Sequence, residues 1–175
     1  MKKNKNKNGK LYIHYGSSIL IPEKRTVWSD PVTHKPNGVL WASPVYSDWS
    51  WRDYLEAENW RISSLQLYFK FRLKSGTNIL MIKEICDIFP YLIDKNGNIP
   101  IDEELRNHDF SLRNIDSNFE IDFNRIYNEF DGMEIYYSSN YHEFHNSYLF
   151  YAYDCDSIAI WNIDKIIPKR NNFEI

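Results

Sequence analysis

Residues 35–44 read Lys35-Pro36-Asn37-Gly38-Val39-Leu40-Trp41-Ala42-Ser43-Pro44. The Pro-Asn-Gly turn leads into a short apolar strand, predicted at residues 39–42, which is followed by a small polar residue and a proline. Earlier in the chain, residues 11–15 predict another strand, which carries His14 between two tyrosines and closes on Gly16. A long loop with three prolines joins the two strands. These two strands are the starting point for interpreting the rest of the chain.

Composition indicates one globular domain. A chain of 175 residues fits a single domain, and its apolar content of 43% lies in the globular range. Aromatic residues make up 17%, which suggests a core and clefts walled by flat rings, although AT-rich codon usage gives the same bias. Cys86 and Cys155 lie far apart, so we expect two buried free thiols. With no long apolar run, we expect no membrane partner and a cytoplasmic location.

Residues 1–10 form the main basic run of a chain whose net charge is −3. We expect them to be a disordered, solubilising tail in front of one domain at residues 11–175. An arm that binds nucleic acid is the alternative interpretation.

The remaining elements predict an α+β fold of mostly antiparallel strands with a few interspersed helices. Ser50 and Asp53 form a capping box that starts a helix ending near Asn59. The pattern at 64–73 alternates and is followed by the Ser75-Gly76 turn, which favours a hairpin with 77–82. Further predicted elements are a short helix at 83–92, a loop at 94–116, a helix at 119–130, and strands at 133–137, 149–153 and 157–161.

Several side chains could carry chemistry. His14 could hold a sugar hydroxyl, because a neutral imidazole both donates and accepts. Ser43 would place a hydroxyl at a strand end. Glu134 is the preferred acid, because it shares a strand face with Tyr136, and each of these residues could equally have no task. The rival acids are Glu56, Glu58, Asp154 and Asp156, with Asp156 and Glu58 ranked next; Asp154 and Asp156 flank Cys155, where a turn or cap role is expected. His142 and His145 lack a third ligand at suitable spacing, so no metal site is predicted. The chain has no phosphate-binding glycine loop and no serine-hydrolase elbow.

Four segments together resemble the ADP-ribosyltransferase superfamily, which includes diphtheria-like toxins and poly-ADP-ribose polymerases. They lie in the order expected for that family: residues 12–17, 38–43, 130–135 and 157–166. The resemblance extends to small uncharacterised phage and bacterial proteins that share the Lys35–Pro44 pattern. It implies a split, two-sheet core. Gly132 and Tyr136 flank Glu134 where the family often has a second acidic or amide residue, which disfavours an arginine-modifying activity.

The resemblance implies that NAD is the substrate and that a protein or nucleic acid accepts the ADP-ribose. It assigns catalysis to Glu134, which would stabilise the sugar cation, and to His14, which would fix a ribose hydroxyl. The cofactor-binding residues that it implies are His14, Tyr15, Gly16, Trp41, Ser43, Tyr46 and Tyr136. An effector or counter-defence factor of a phage or mobile element is the broader role it suggests.

A different class of function keeps this fold without the chemistry. The chain would then be a binding or inhibitor protein with an exposed aromatic surface around Trp28, Trp49 and Trp51. Stabilisation by NAD separates this alternative from the enzyme.

Overall fold

The computed structural model describes residues 9–20, 28–29, 33–114 and 119–169. Its strands are β1 Tyr12–Tyr15, β2 Trp28–Ser29, β3 Pro36–Asn37, β4 Leu40–Pro44, β5 Tyr68–Leu73, β6 Ile79–Ile82, β7 Leu92–Asp94, β8 Phe119–Ile121, β9 Gly132–Ile135, β10 Ser157–Ile160 and β11 Ile166–Lys169. Its α-helices are α1 Trp51–Ala57, α2 Asp102–Asn107, α3 Phe123–Glu129 and α4 Tyr141–Asn146. Short 3-10 helices lie at Ile62–Gln66, Ile85–Tyr91, Leu112–Asn114, Tyr137–Asn140 and Ile163–Lys165. No described helix is long and apolar enough to cross a bilayer.

A seven-stranded sheet dominates the fold, in the order β11-β5-β1-β4-β10-β9-β6. Its strand pairs are antiparallel except β6 with β9, and the pairs β2–β3 and β7–β8 form small separate sheets. The predicted α+β class with mostly antiparallel strands is therefore confirmed.

The large sheet opens at a seam between β1 and β4. These strands pair at Tyr12–Pro44 and Ile13–Ser43, whereas residues Leu40 to Ala42 of β4 pair with β10. Beyond Ser43, the imidazole of His14 contacts the main-chain carbonyl of Trp41 through Nδ1, at 2.6 Å. A side chain thus satisfies a carbonyl that faces the gap between the strands.

Each face of the sheet packs against its own core, because successive side chains on a strand point to opposite faces. One core includes Tyr12, Phe71, Ile158 and Ile160. The other includes Met133 and Ile135 from β9, with residues of β6, the helices and the buried segment 148–153. The alternation seen in the sequence therefore becomes two separate apolar layers.

The predicted capping box is confirmed at α1. Ser50 Oγ accepts from the main-chain N–H of Asp53, and Asp53 Oδ2 accepts from the N–H of Ser50 at 2.7 Å. One side of the helix is anchored by Leu55, which is fully buried. Capping thus fixes where the helix starts, and one apolar residue fixes which side packs.

The predicted hairpin of 64–73 with 77–82 is wrong. β5 pairs with β1 and β11, while β6 crosses to the other end of the sheet and pairs with β9. The segment before β5 is a 3-10 helix, Ile62–Gln66. The turn at residues 75–76 therefore joins two strands that pair with other strands of the sheet and not with each other.

Five other predictions need correction, and one is the expected burial of the Cys86 thiol, which is exposed. The predicted helix at 119–130 is β8 followed by α3, because Asp122 accepts from the N–H of Arg125 and begins the helix there. The predicted loop at 94–116 contains α2, and the predicted strand at 149–153 consists of turns. Of the predicted basic tail, residues 1–8 lie outside the described residues, but Lys10 is part of the folded domain, because its ammonium pairs with Glu134.

Candidate functional site

A cavity of about 370 Å³ lies where β1 and β4 separate. Its floor comes from three neighbouring strands, through Ile13 and Tyr15, Trp41 and Ser43, and Ser157. Its walls come from other segments and include Lys35, Trp51, Arg61, Ser64, Tyr153, Asp154 and Cys155. The sheet thus supplies the floor, and the segments that pass over the sheet supply the walls.

Ser43 is the central support of this cavity. Its side chain is fully buried, and its Oγ accepts from the main-chain N–H of Trp51 at 2.9 Å. It also bonds the thiol of Cys155, whose pKa burial raises to about 12. The thiol is therefore protonated at neutral pH and unsuited to nucleophilic attack. One hydroxyl thereby connects β4 to the start of α1 and to the segment before β10.

The His14-Tyr15-Gly16 segment forms the β1 side of the cavity. Because the Trp41 carbonyl can only accept, His14 Nδ1 carries the proton of that hydrogen bond. Gly16 has φ +97°, a left-handed conformation that favours glycine. Its N–H donates to Leu67 at 2.7 Å and to Ser64 at 3.2 Å, which holds the Ile62–Gln66 helix at the rim.

Aromatic contacts fix the walls. Trp41 meets Tyr153 edge-on, with 5.9 Å between ring centroids. Trp51 stacks on Tyr54 at 5.4 Å and meets Trp60 edge-on at 6.1 Å. The guanidinium of Arg61 lies 4.6 Å from the Trp60 ring centroid. Interlocked rings of this kind make a wall that a flat ligand can contact without rearrangement.

Asp154 is the acid in the cavity wall. Its Oδ2 lies 3.7 Å from Lys35 Nζ, and the two side chains are 30% and 29% exposed. Burial raises the pKa of Asp154 above its usual value, and the nearby Lys35 ammonium offsets part of that effect. Its main-chain carbonyl accepts from the indole N–H of Trp49 at 2.9 Å, so the backbone at this position is held.

Glu134 lies elsewhere, so the expectation that it faces His14 across one ribose is not met. Its side chain is only 5% exposed and pairs with Lys10 at 2.5 Å. The hydroxyls of Tyr12 and Tyr136 also donate to it, each at 3.2 Å. It stands opposite Ile158, on the sheet face away from the cavity floor residue Ser157. Since β4 and β10 separate β9 from β1, the two strands are roughly 14 Å apart at about 4.8 Å per step.

The other predicted residues divide between the cavity and distant positions. His14, Tyr15, Gly16, Trp41 and Ser43 come together at the cavity. Two predicted ring-stacking residues do not: Tyr46 is 90% exposed, and Tyr136 is bound to Glu134. Of the rival acids, Asp156 accepts two hydrogen bonds from Ser138 at 2.7 Å, and Glu58 ends α1.

Sequence reasoning missed the wall residues Lys35, Arg61 and Tyr153, and it ranked Asp154 below Glu134 as a turn or cap residue. The sequence did contain one signal for Tyr153. In the segment that leads into β10, Tyr153, Cys155 and Ser157 stand at every second position, as side chains on one face of a strand do, and all three line the cavity. Within the residues that the structure describes, no group of histidine, cysteine and acidic residues could hold a metal ion.

No family model, curated protein or solved structure matches this chain.

Proposed function

We propose that the cavity binds the nicotinamide-ribose end of NAD and that the protein transfers ADP-ribose to a macromolecular acceptor. The observation that carries this proposal is the meeting of two distant segments. Residues 14–16 and 41–43, which belong to the segments that resemble ADP-ribosyltransferases, line the same cavity although they lie far apart in the chain.

The size and lining of the cavity support a ligand of this kind. A volume of about 370 Å³ is at the lower end of the usual range for small-molecule sites, which fits one half of a dinucleotide. The rings of Tyr15, Trp41 and Tyr153 suit a flat heteroaromatic group. The hydroxyls of Ser64 and Ser157, which also line the cavity, suit the ribose.

In the proposed reaction, the bond between C1′ of the ribose and the pyridinium nitrogen breaks. Nicotinamide leaves as a neutral molecule with the bonding electron pair, and a sugar with oxocarbenium character remains. A lone pair of the acceptor then forms the new bond to C1′, and the acceptor loses its proton to a base or to water. A carboxylate in the wall stabilises the developing positive charge, and Asp154 takes this role in place of Glu134.

Release of nicotinamide from NAD tests the proposal. Purified protein is incubated with NAD and host lysate, and free nicotinamide and labelled macromolecules are measured. We expect Asp154→Asn to lower the release about 100-fold, in the range seen when one electrostatic group is removed from an active site. Glu58→Gln is the matched control, because Glu58 caps α1 outside the cavity. If the native protein releases no nicotinamide and NAD does not raise its melting temperature, the proposal fails.

A binding protein without catalysis is the second candidate. Four large apolar side chains are exposed beside the cavity rim: Trp60, Ile62, Leu67 and Tyr68. Such a patch on a small protein favours contact with a partner. This candidate predicts that NAD leaves the melting temperature unchanged, whereas the enzyme predicts a rise with NAD concentration.

A further inference from the structure

Lys35 occupies an unusual position in the cavity wall, because its ammonium group has two different neighbours. Asp154 Oδ2 lies 3.7 Å from Nζ, and the ring centroid of Tyr153 lies 5.3 Å from it. Proteins bind organic cations by combining a negatively charged group with the face of an aromatic ring. Lys35 therefore marks a place where the cavity already stabilises a positive charge.

The two groups that hold this charge are themselves fixed. The Tyr153 ring is buried, packs against Trp41, and donates its hydroxyl proton to the carbonyl of His34 at 2.8 Å. The backbone of Asp154 is bound to Trp49. The subsite is thus preformed around the lysine.

Lys35 itself is held weakly. Its side chain and that of Asp154 are each nearly one-third exposed, and at 3.7 Å the pair is longer than a strong charged hydrogen bond. Partly exposed ion pairs of this kind add little to stability. The lysine can therefore leave Asp154 at little cost, since its long flexible stem lets the ammonium turn to water.

We propose that Tyr153 and Asp154 form a subsite for a planar organic cation of the N-alkylpyridinium class, which Lys35 occupies until such a ligand displaces it. This inference rests on the proposed function, because the nicotinamide ring of NAD is an N-substituted pyridinium. Cleavage turns that ring into neutral nicotinamide, which loses its attraction to the carboxylate and the tyrosine ring. Lys35 then returns to Asp154, and the leaving group departs.

Binding of 1-methylnicotinamide, a permanent pyridinium, and of neutral nicotinamide to the full chain tests the subsite without any chemistry. Lys35→Met keeps the length of the side chain and removes the competing charge. We expect it to tighten binding of 1-methylnicotinamide about three- to fivefold and to change binding of nicotinamide less than twofold. Asp154→Asn should weaken binding of 1-methylnicotinamide and leave binding of neutral nicotinamide nearly unchanged. Lys83→Met is the matched control, because Lys83 also lies over a tyrosine ring, that of Tyr136, 5.2 Å away and outside the cavity.

The inference is overturned if Lys35→Met leaves the cation affinity unchanged or lowers it, or if neither the native chain nor the variant binds the cation. Lys35→Gln repeats the test should the methionine variant not fold. If the protein binds the cation selectively but releases no nicotinamide from NAD, the subsite is supported and the proposed reaction is rejected. Failure of the subsite can therefore be told apart from failure of the proposed function.

Discussion

Glu134 and Asp154 are expected to respond to substitution in opposite ways, because one acid holds the fold and the other faces the cavity. Glu134 is buried and accepts from Lys10, Tyr12 and Tyr136. Replacing Glu134 with alanine removes all three contacts and leaves two tyrosine hydroxyls and an ammonium without their anion. Glu134 is buried but Lys10 is 31% exposed and can turn its ammonium to water, so we expect about 3 kcal/mol, the lower end of the range for breaking a buried pair.

The change in melting temperature follows from that free energy. For a domain of this size, 1 kcal/mol shifts the melting temperature by about 2–4 °C, so Glu134→Ala should lower it by about 6–12 °C. Glu134→Gln keeps the volume and one carbonyl acceptor but loses the charge, and about 1–3 kcal/mol is expected. Glu120→Gln is the control, because Glu120 is exposed on β8, and its effect should stay within about 0.5 kcal/mol.

Urea denaturation measures these free energies, and nicotinamide release is measured in parallel at a temperature where all variants are folded. We expect Glu134→Gln to lose stability and keep most of the release, and Asp154→Asn to stay folded and lose the release. The reasoning is refuted if Glu134→Gln is as stable as the native protein and yet releases no nicotinamide. That result would place the chemistry at Glu134 and remove Asp154 from it.

Three further substitutions test the supports of the site. Ser43→Ala should cost about 1–3 kcal/mol in urea denaturation, because it leaves the buried N–H of Trp51 without its acceptor. Burial raises the pKa of Asp154, so the folded protein binds that proton more tightly than the unfolded chain, and stability falls as the pH rises through this range. Asp154→Asn should therefore melt higher than the native protein at neutral pH, and the difference should shrink as the pH falls through the raised folded pKa towards the ordinary aspartate value of about 4 and then stay constant. Gly132→Ala should destabilise by about 1–3 kcal/mol, since its Cβ would lie 2.7 Å from Ile160 Cδ1 and 2.8 Å from the carbonyl of Ala159.

Local features of the fold were predictable because they depend on neighbouring residues. The capping box of Ser50 and Asp53 begins α1 as expected, and the alternation around Phe69 and Phe71 becomes β5 with both rings buried. Strand pairing was not predictable in the same way. The turn at Ser75-Gly76 looks like a hairpin turn, but Asn78 donates its N–H to Asp131 at 2.9 Å and directs β6 towards β9. A contact between residues 53 positions apart cannot be recognised from a short stretch of sequence.

The candidate site shows the same difference between local patterns, which the sequence reveals, and strand order, which it does not. His14 and Ser43 were identifiable because each lies on a strand whose pattern is clear, and both strands meet at the cavity. Choosing the acid needed the order of the strands. Alternation says which face of β9 Glu134 occupies, but it does not say that β10 lies between β9 and β4. With β10 in place, Glu134 shares the sheet face of Ile158 and turns away from the cavity floor, whereas Asp154, shortly before β10, lines the cavity.

The early end of the pairing between β1 and β4 explains why a cavity forms at Ser43. A strand that paired with β1 over its whole length would close the gap that the His14 imidazole now fills. Leu40 to Ala42 pair with β10 along the other edge of β4, while β1 ends at Tyr15 and the next residue, Gly16, binds the rim helix Ile62–Gln66. Ser43, where the pairing with β1 ends, holds α1 and Cys155 over the opening. The cavity is therefore built by the backbone path of β4, and the neighbouring side chains decide which ligand it accepts.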